Sequence, residues 1–334
     1  MKKTVSVAPM MDCTDRHDRY FLRLISKNVK LYTEMIVANA IIRGDRDSIL
    51  KFNFFEKPLA LQIGGSVPKE LAEAVKIAES FGYDEINLNL GCPSKKVQKN
   101  KFGACLMKEP NLVGDCINEM INACNIPITI KTRIGYDHFE DYEYLKRFLT
   151  TIKESGSDTF IIHARRAILN KLTPKQNLNI PPLNYDFVYN IKQDFKNETV
   201  ILNGGIDSTD KIKTHLKKVD GVMIGRAVYH SPYFLTDIEK EIFNNNNVPT
   251  RTEIMEQLIP YIQKETKNGT RLNQIMRHTI GLFHGQNGSG NWKRYLSENM
   301  CIREADLQKV NHIMDHIKNN NIATSLERQV VRSP

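Results

Sequence analysis

With 334 residues, 41% hydrophobic and 25% charged, the chain reads as a soluble globular protein with room for one large core and an appended segment. Its net charge of +9 favours a polyanionic partner such as nucleic acid, although drift toward Lys and Asn, visible at 244–247, accounts for that balance equally well. No apolar run approaches the roughly 18 uncharged residues of a membrane span. The leading MKKTVSVAPMMD loses its apolar character at Asp12, too early for a signal segment, so the cytoplasm is the expected compartment. The six cysteines include no C-x-x-C pair, which argues against a zinc site, and a core this large needs no disulfide framework.

Eight short β-rich runs follow one another along the chain, at 5–8, 31–33, 59–63, 85–90, 128–131, 159–163, 199–203 and 221–224. Helical patterns separate most of them. Residues 69–80 place Leu71, Ala74, Val75 and Ala78 on one face, with Pro68 just ahead and Gly82 just behind. Residues 112–123 repeat the design with Val113, Ile117, Met120 and Ile121. Strands alternating with helices imply a parallel sheet with right-handed crossovers. Eight such units in about 230 residues predict an α/β fold, a TIM (β/α)8 barrel rather than a doubly wound sheet. After residue 243 the sequence NNNNVP reads as a linker. Thr250 and Glu253 then form a capping box, and Ile254, Leu258 and Ile262 make a helical stripe interrupted by Pro260. Leu307, Val310, Ile313 and Ile317 make another. Residues 245–334 hold 12 Lys/Arg against 8 Asp/Glu, a net of +4. The expected organisation is therefore a barrel at 1–243 and a small, basic, all-helical domain at 244–334.

In such a barrel the strand ends and the loops after them build the site. The fourth run, EINLNL, passes into Gly91-Cys92-Pro93-Ser94 and then a loop with Lys95, Lys96, Lys99 and Lys101. A thiol there suits acid–base chemistry on a polyanion. Cys105, in FGAC, has a weaker claim to the same loop. The seventh and eighth runs end in Asn203-Gly204-Gly205 and Gly225-Arg226. Loops after those two strands commonly cradle phosphate, with glycine letting backbone N–H groups approach and arginine adding a forked cation. Gln62, Lys131 and His163 close three further strands with polar groups that core packing does not require. Together they fit an anionic, flat heteroaromatic ligand, and flavin mononucleotide (FMN) meets each requirement.

These residues closely resemble the tRNA-dihydrouridine synthases. The matching segments are VAPMMDCTDRH, YTEM, LQIGG, NLNLGCPS, FGACLM, IKTRIG, HARRA, NGGI and DGVMIGR, in order across the barrel, and GNWKRYLSEN near the carboxyl end. LTPKQNLNIPPLNY at 172–185 resembles the A-type branch, whose members modify uridines 20 and 20a of the tRNA D-loop. The resemblance implies non-covalent FMN, with NADPH as reductant. It implies that Pro9, Met10 and Met11 line the flavin beside Gln62, Lys131, His163, Asn203, Gly204, Gly205, Gly225 and Arg226. It makes Cys92 the catalytic cysteine and places Asn89, Lys175, Asn291 and Arg294 where this branch meets its tRNA. Leu178 departs from the pattern at a position where a basic residue is expected.

Chemistry supports the same assignment. The uracil 5,6 double bond is conjugated with the C4 carbonyl, so hydride adds at C6 and a proton must then reach C5. Cys92 is the expected general acid, which requires a protonated thiol, so Lys95 and Lys96 should point away from it. Trp292, the only tryptophan, is expected as a core anchor rather than a base-stacking platform. Two other readings compete: a small-molecule FMN oxidoreductase of the dihydroorotate or dihydropyrimidine dehydrogenase kind, and a non-catalytic RNA-binding protein. The basic C-terminal segment argues against the first, and flavin absorbance of the purified protein separates off the second. No metal site and a monomer are expected; the choice between uridines 20 and 20a, and between NADPH and NADH, is open.

Overall fold

A computed structural model describes residues 3–299. Its eight strands are β1 (Thr4–Val7), β2 (Leu31–Val37), β3 (Leu59–Gly64), β4 (Glu85–Leu90), β5 (Ile128–Arg133), β6 (Thr159–His163), β7 (Thr199–Asn203) and β8 (Gly221–Ile224). From β2 to β8 each pairs in parallel with the next, and β8 pairs with β1. The ring closes between β1 and β2 through Lys30, whose N–H donates to Val5 O at 3.0 Å and whose carbonyl accepts from Val7 N at 2.9 Å. This is the TIM barrel that the run spacing predicts. β2 and β5 extend past the expected 33 and 131 because Met35 still faces Gln62, and Thr132 still faces Leu90, in register.

Strands buried on both faces read as near-continuous apolar runs. Helix Pro68–Glu79 covers one outer stretch with Leu71, Ala74, Val75 and Ala78, all buried as predicted. Helix Pro110–Ala123 does the same with Val113, Ile117 and Met120, while Ile121, expected on that face, is half-buried. Inside the ring, Ala8, Tyr32, Ala60, Ile161, Ile201 and Met223 make an apolar layer. Below the polar rim of the mouth, the buried Glu85 carboxylate accepts from Tyr32 Oη at 2.7 Å, Thr129 Oγ1 at 2.7 Å and Lys30 Nζ at 2.6 Å. A buried carboxylate is tolerable only with such partners.

Contacts divide the chain into two compact units, residues up to 14 with 29–225, and 15–28 with 226 onward. This differs from the expected division at 243/244. The composition change there marks an irregular stretch, 244–250, inside the second unit. Helix Arg16–Ile25 joins that unit because Tyr20 stacks on Tyr261 with ring centroids 3.9 Å apart, and Arg16 pairs with Glu265 at 2.7 Å. Among the described residues of the second unit, the regular elements are all helices. Helix Arg251–Lys267 starts at the predicted Thr250/Glu253 capping box and continues through Pro260. Trp292 is fully buried, donates from Nε1 to Thr279 O at 3.1 Å and meets Phe283 edge-on, so it is the anchor of this core. The stripe expected at Leu307, Val310, Ile313 and Ile317 lies outside the described residues. Among the described residues no helix is long and apolar enough to cross a membrane.

Candidate active site at the carboxyl end of the barrel

Side chains alternate along a strand, so residues two apart share a face. On β4 that face carries Glu85, Asn87 and Asn89; on β5 it carries Thr129, Lys131 and Arg133. With Gln62 of β3, His163 of β6 and Asn203 of β7, these strands place a polar group at the mouth one after another. Hydrogen bonds tie several of them into two groups. Gln62 Nε2 donates to Asn87 Oδ1 at 2.8 Å, and Gln62 Oε1 accepts from Asn89 Nδ2 at 2.8 Å. Asn89 Oδ1 in turn accepts the backbone N–H groups of Gly91 at 3.1 Å and Cys92 at 3.0 Å. Farther round, Lys131 Nζ donates to Asn203 Oδ1 at 3.1 Å, and Asn203 Nδ2 donates to Met223 O at 2.8 Å. Cys92 is thus fixed to the same network as Gln62, and close enough to Lys131 and Arg133 to feel their charge.

Burial pushes the Cys92 thiol above its ordinary range, against the pull of a backbone hydrogen bond and of Arg133 and Lys131. The thiol therefore keeps its proton at neutral pH. Lys95 and Lys96 are exposed on the short helix Lys95–Lys99, as an acid role for Cys92 requires. Burial brings Lys131 down to about 7, with Arg133 adding to the effect and Cys92 opposing it. Its Nζ donates to the neutral Asn203 amide, and among the described residues it forms no ion pair.

The turn after β7 needs glycine. Gly204 has φ +119° and Gly205 φ +70°. A Cβ on Gly204 would stand 2.7 Å from His163 Cδ2, and one on Gly205 would stand 2.7 Å from Tyr185 Oη. Met10 Sδ lies 3.4 Å from where a Gly225 Cβ would be, so the turns after β1 and β8 meet. Pro9 and Met10 are half-buried and Met11 is 54% exposed. Arg226, next in the chain, opens helix Arg226–His230 in the second unit.

The chain matches the sequence model of the family described as Dihydrouridine synthase (Dus) over residues 6–320. It belongs to the dihydrouridine synthase family. A protein of Synechocystis named tRNA-dihydrouridine(20/20a) synthase is 49% identical over 90% of this chain and 90% of its own. Proteins of the same name from Shewanella oneidensis and Escherichia coli K12 are 47% and 49% identical, over 97% and 92% of this chain and 96% and 90% of theirs.

Dihydrouridine synthases are flavin oxidoreductases, and the residues at this mouth fit such a group. Lys131 and the Gly204–Gly205 turn offer a cation and close backbone approach for an anion. Gln62 keeps a further N–H and a further lone pair for a ring edge, and Met10 supplies an apolar contact. The structure therefore gathers Gln62, Lys131, His163, Asn203, Gly204 and Cys92 as the sequence led one to expect. Asn89, expected against tRNA, is buried between Gln62 and the Cys92 turn, so its first structural role is to hold that turn. Lys175 is exposed on the loop after β6. Asn291 and Arg294 are exposed on helix Ser289–Asn299 of the second unit.

Sequence reasoning missed Arg133, Asn87, Gln98 and Asn177. The first two had a signal, since each lies two residues from a recognised inward residue. Gln98 and Asn177 had none, because their partners are backbone groups of the loop after β6, whose course the residue pattern does not give.

Proposed function

We propose that this chain reduces the 5,6 double bond of uridine to 5,6-dihydrouridine in the tRNA D-loop, at uridines 20 and 20a, with non-covalent FMN and NADPH as reductant. The observation that carries the reading is a thiol, Cys92, held protonated by burial and bonded into the same polar ring as Gln62 and near Lys131.

FMN, when bound, supplies hydride to C6 of the uracil. Everything else falls to the chain. Gln62, Lys131, His163, Asn203, Gly204, Gly205, Gly225 and Arg226 hold the flavin, with Pro9, Met10 and Met11 against it. Lys131, charged beside an anionic ligand, favours a reduced, anionic ring. Hydride at C6 leaves an enolate-like centre at C5, and the Cys92 thiol delivers a proton there as general acid. The target uridine is stacked in folded tRNA, so it must be extruded at a cost of a few kcal/mol. The exposed Lys95, Lys96, Lys99 and Lys101 hold RNA phosphates. The helical segment 244–334, through Asn291 and Arg294, holds the tRNA elbow while the base is out. Support for that division of labour is the exposure of those side chains and the +4 balance of the segment. The protein works in the cytoplasm as a monomer.

The test supplies purified protein, NADPH and unmodified tRNA, and maps dihydrouridine by position. Product at 20 and 20a is expected. Turnover of free uracil or dihydroorotate with untouched tRNA would overturn the reading.

A further inference from the structure

We propose that Arg133 and Gln98 are positioning residues that brace the Cys92 turn against the loop after β6, so that this RNA-facing loop sets the place of the thiol. The inference rests on the proton-donor role given to Cys92 above.

Arg133 ends β5 and is only 3% exposed. Its Nε donates to Gly91 O at 2.9 Å, on the residue before Cys92. Its Nη1 donates to Arg166 O at 3.0 Å and Asn177 O at 3.3 Å, both in the loop after β6. Gln98 makes the same link from the other side. Its Nε2 donates to Pro93 O, on the residue after Cys92, and to Leu169 O, each at 2.9 Å. Two side chains therefore grip the carbonyls that flank the thiol and tie both to residues 166–177. Asn89 holds the intervening N–H.

The far end of the brace is stiff. Asn177 is fully buried. Its Oδ1 accepts from Ile168 N at 2.7 Å, and its Nδ2 donates to Ile168 O, Leu172 O and Thr173 O at 3.0 to 3.2 Å. That folds the loop onto one amide, with Lys171 and Lys175 exposed on it. A displacement of this loop by a bound strand is passed to Gly91 and Pro93 without slack. A guanidinium desolvated among carbonyls is costly unless its N–H groups are used, and apolar residues fill space without that cost. The forked geometry is what lysine cannot copy. Arg133 also stands near enough to oppose, with its charge, the rise that burial imposes on the thiol.

The experiment compares Arg133→Lys, Arg133→Met, Gln98→Ala and Cys92→Ala with wild type, each as holoenzyme. Dihydrouridine formation gives kcat and the KM for tRNA. Peptide-resolved iodoacetamide labelling against pH gives the titration of Cys92. Both Arg133 variants should lose kcat by about ten- to a hundredfold, with KM changed far less. Arg133→Met should move Cys92 labelling to higher pH, and Arg133→Lys should leave it near wild type while kcat still falls. Gln98→Ala should lower kcat by a smaller factor. Wild-type kcat in all three, or losses confined to KM, would overturn the brace. If the Arg133 proteins fail to melt cooperatively, Gln98→Ala decides by the same criterion. Cys92→Ala separates the two claims. Wild-type turnover there sinks the acid role, whereas a slow Cys92→Ala beside fast Arg133 and Gln98 variants sinks only the brace.

Discussion

A general acid must hold its proton until the moment of transfer, and the surroundings of Cys92 do that by burial, with the lysines of its own loop turned to solvent. Replacing Cys92 with alanine should slow dihydrouridine formation by about 10²–10⁴-fold while flavin content stays at the wild-type level. Because the thiol is raised, activity should hold through neutral pH and fall only on the alkaline side of an ordinary thiol. A bell centred near neutrality in the proton-transfer step would contradict this. Lys131 behaves in the opposite sense. Its ammonium loses its proton near pH 7 in the ligand-free protein, and an anionic ligand favours the protonated form. Binding above that pH must therefore take up a proton, so FMN affinity should weaken as pH rises beyond about 7, by up to about tenfold per pH unit. Titrating apoprotein with FMN across pH 6 to 9 by fluorescence checks it, and Lys131→Met should flatten the dependence.

Strands and loops set the site at the next scale. The turn after β7 takes left-handed backbone at two successive glycines, with the His163 ring against the first. Gly204→Ala has to displace that ring or abandon φ +119°, at a cost of about 1–3 kcal/mol. Calorimetry should show a lower midpoint for Gly204→Ala and weaker FMN binding. An alanine protein with both unchanged would mean that the turn carries no phosphate. The polar ends of β3 to β7 were legible because each breaks an apolar pattern at a strand end, as Lys131 does in ITIKTR. Arg133, two residues on, was equally regular but reads as a solvated end until its Nε is seen on Gly91 O.

Over the whole molecule, charge is the property that matters for a polyanionic partner. With +9 net and exposed lysines at 95, 96, 99 and 101, tRNA affinity should fall linearly with salt on logarithmic axes. Replacing those four lysines with alanine should reduce the slope by about 0.7–0.9 for each phosphate contact removed, as filter binding at several salt concentrations will measure. An unchanged slope would place the RNA elsewhere on the surface.

Period and punctuation in the sequence were enough to give eight strands, their order, the inward faces of the covering helices and the thiol at the end of β4, because those features depend on neighbours in the chain. Where the two compact units divide was not legible. Residues 15–28 join the carboxyl-terminal helices through Tyr20 on Tyr261 and Arg16 on Glu265, pairs more than 200 positions apart. The bonds of Asn89, which family likeness places against the RNA, to Gln62 and to the Cys92 turn were not legible either. Local pattern fixes which element a residue occupies; which of its hydrogen-bonding atoms are used depends on partners that only the closed barrel brings within 3 Å.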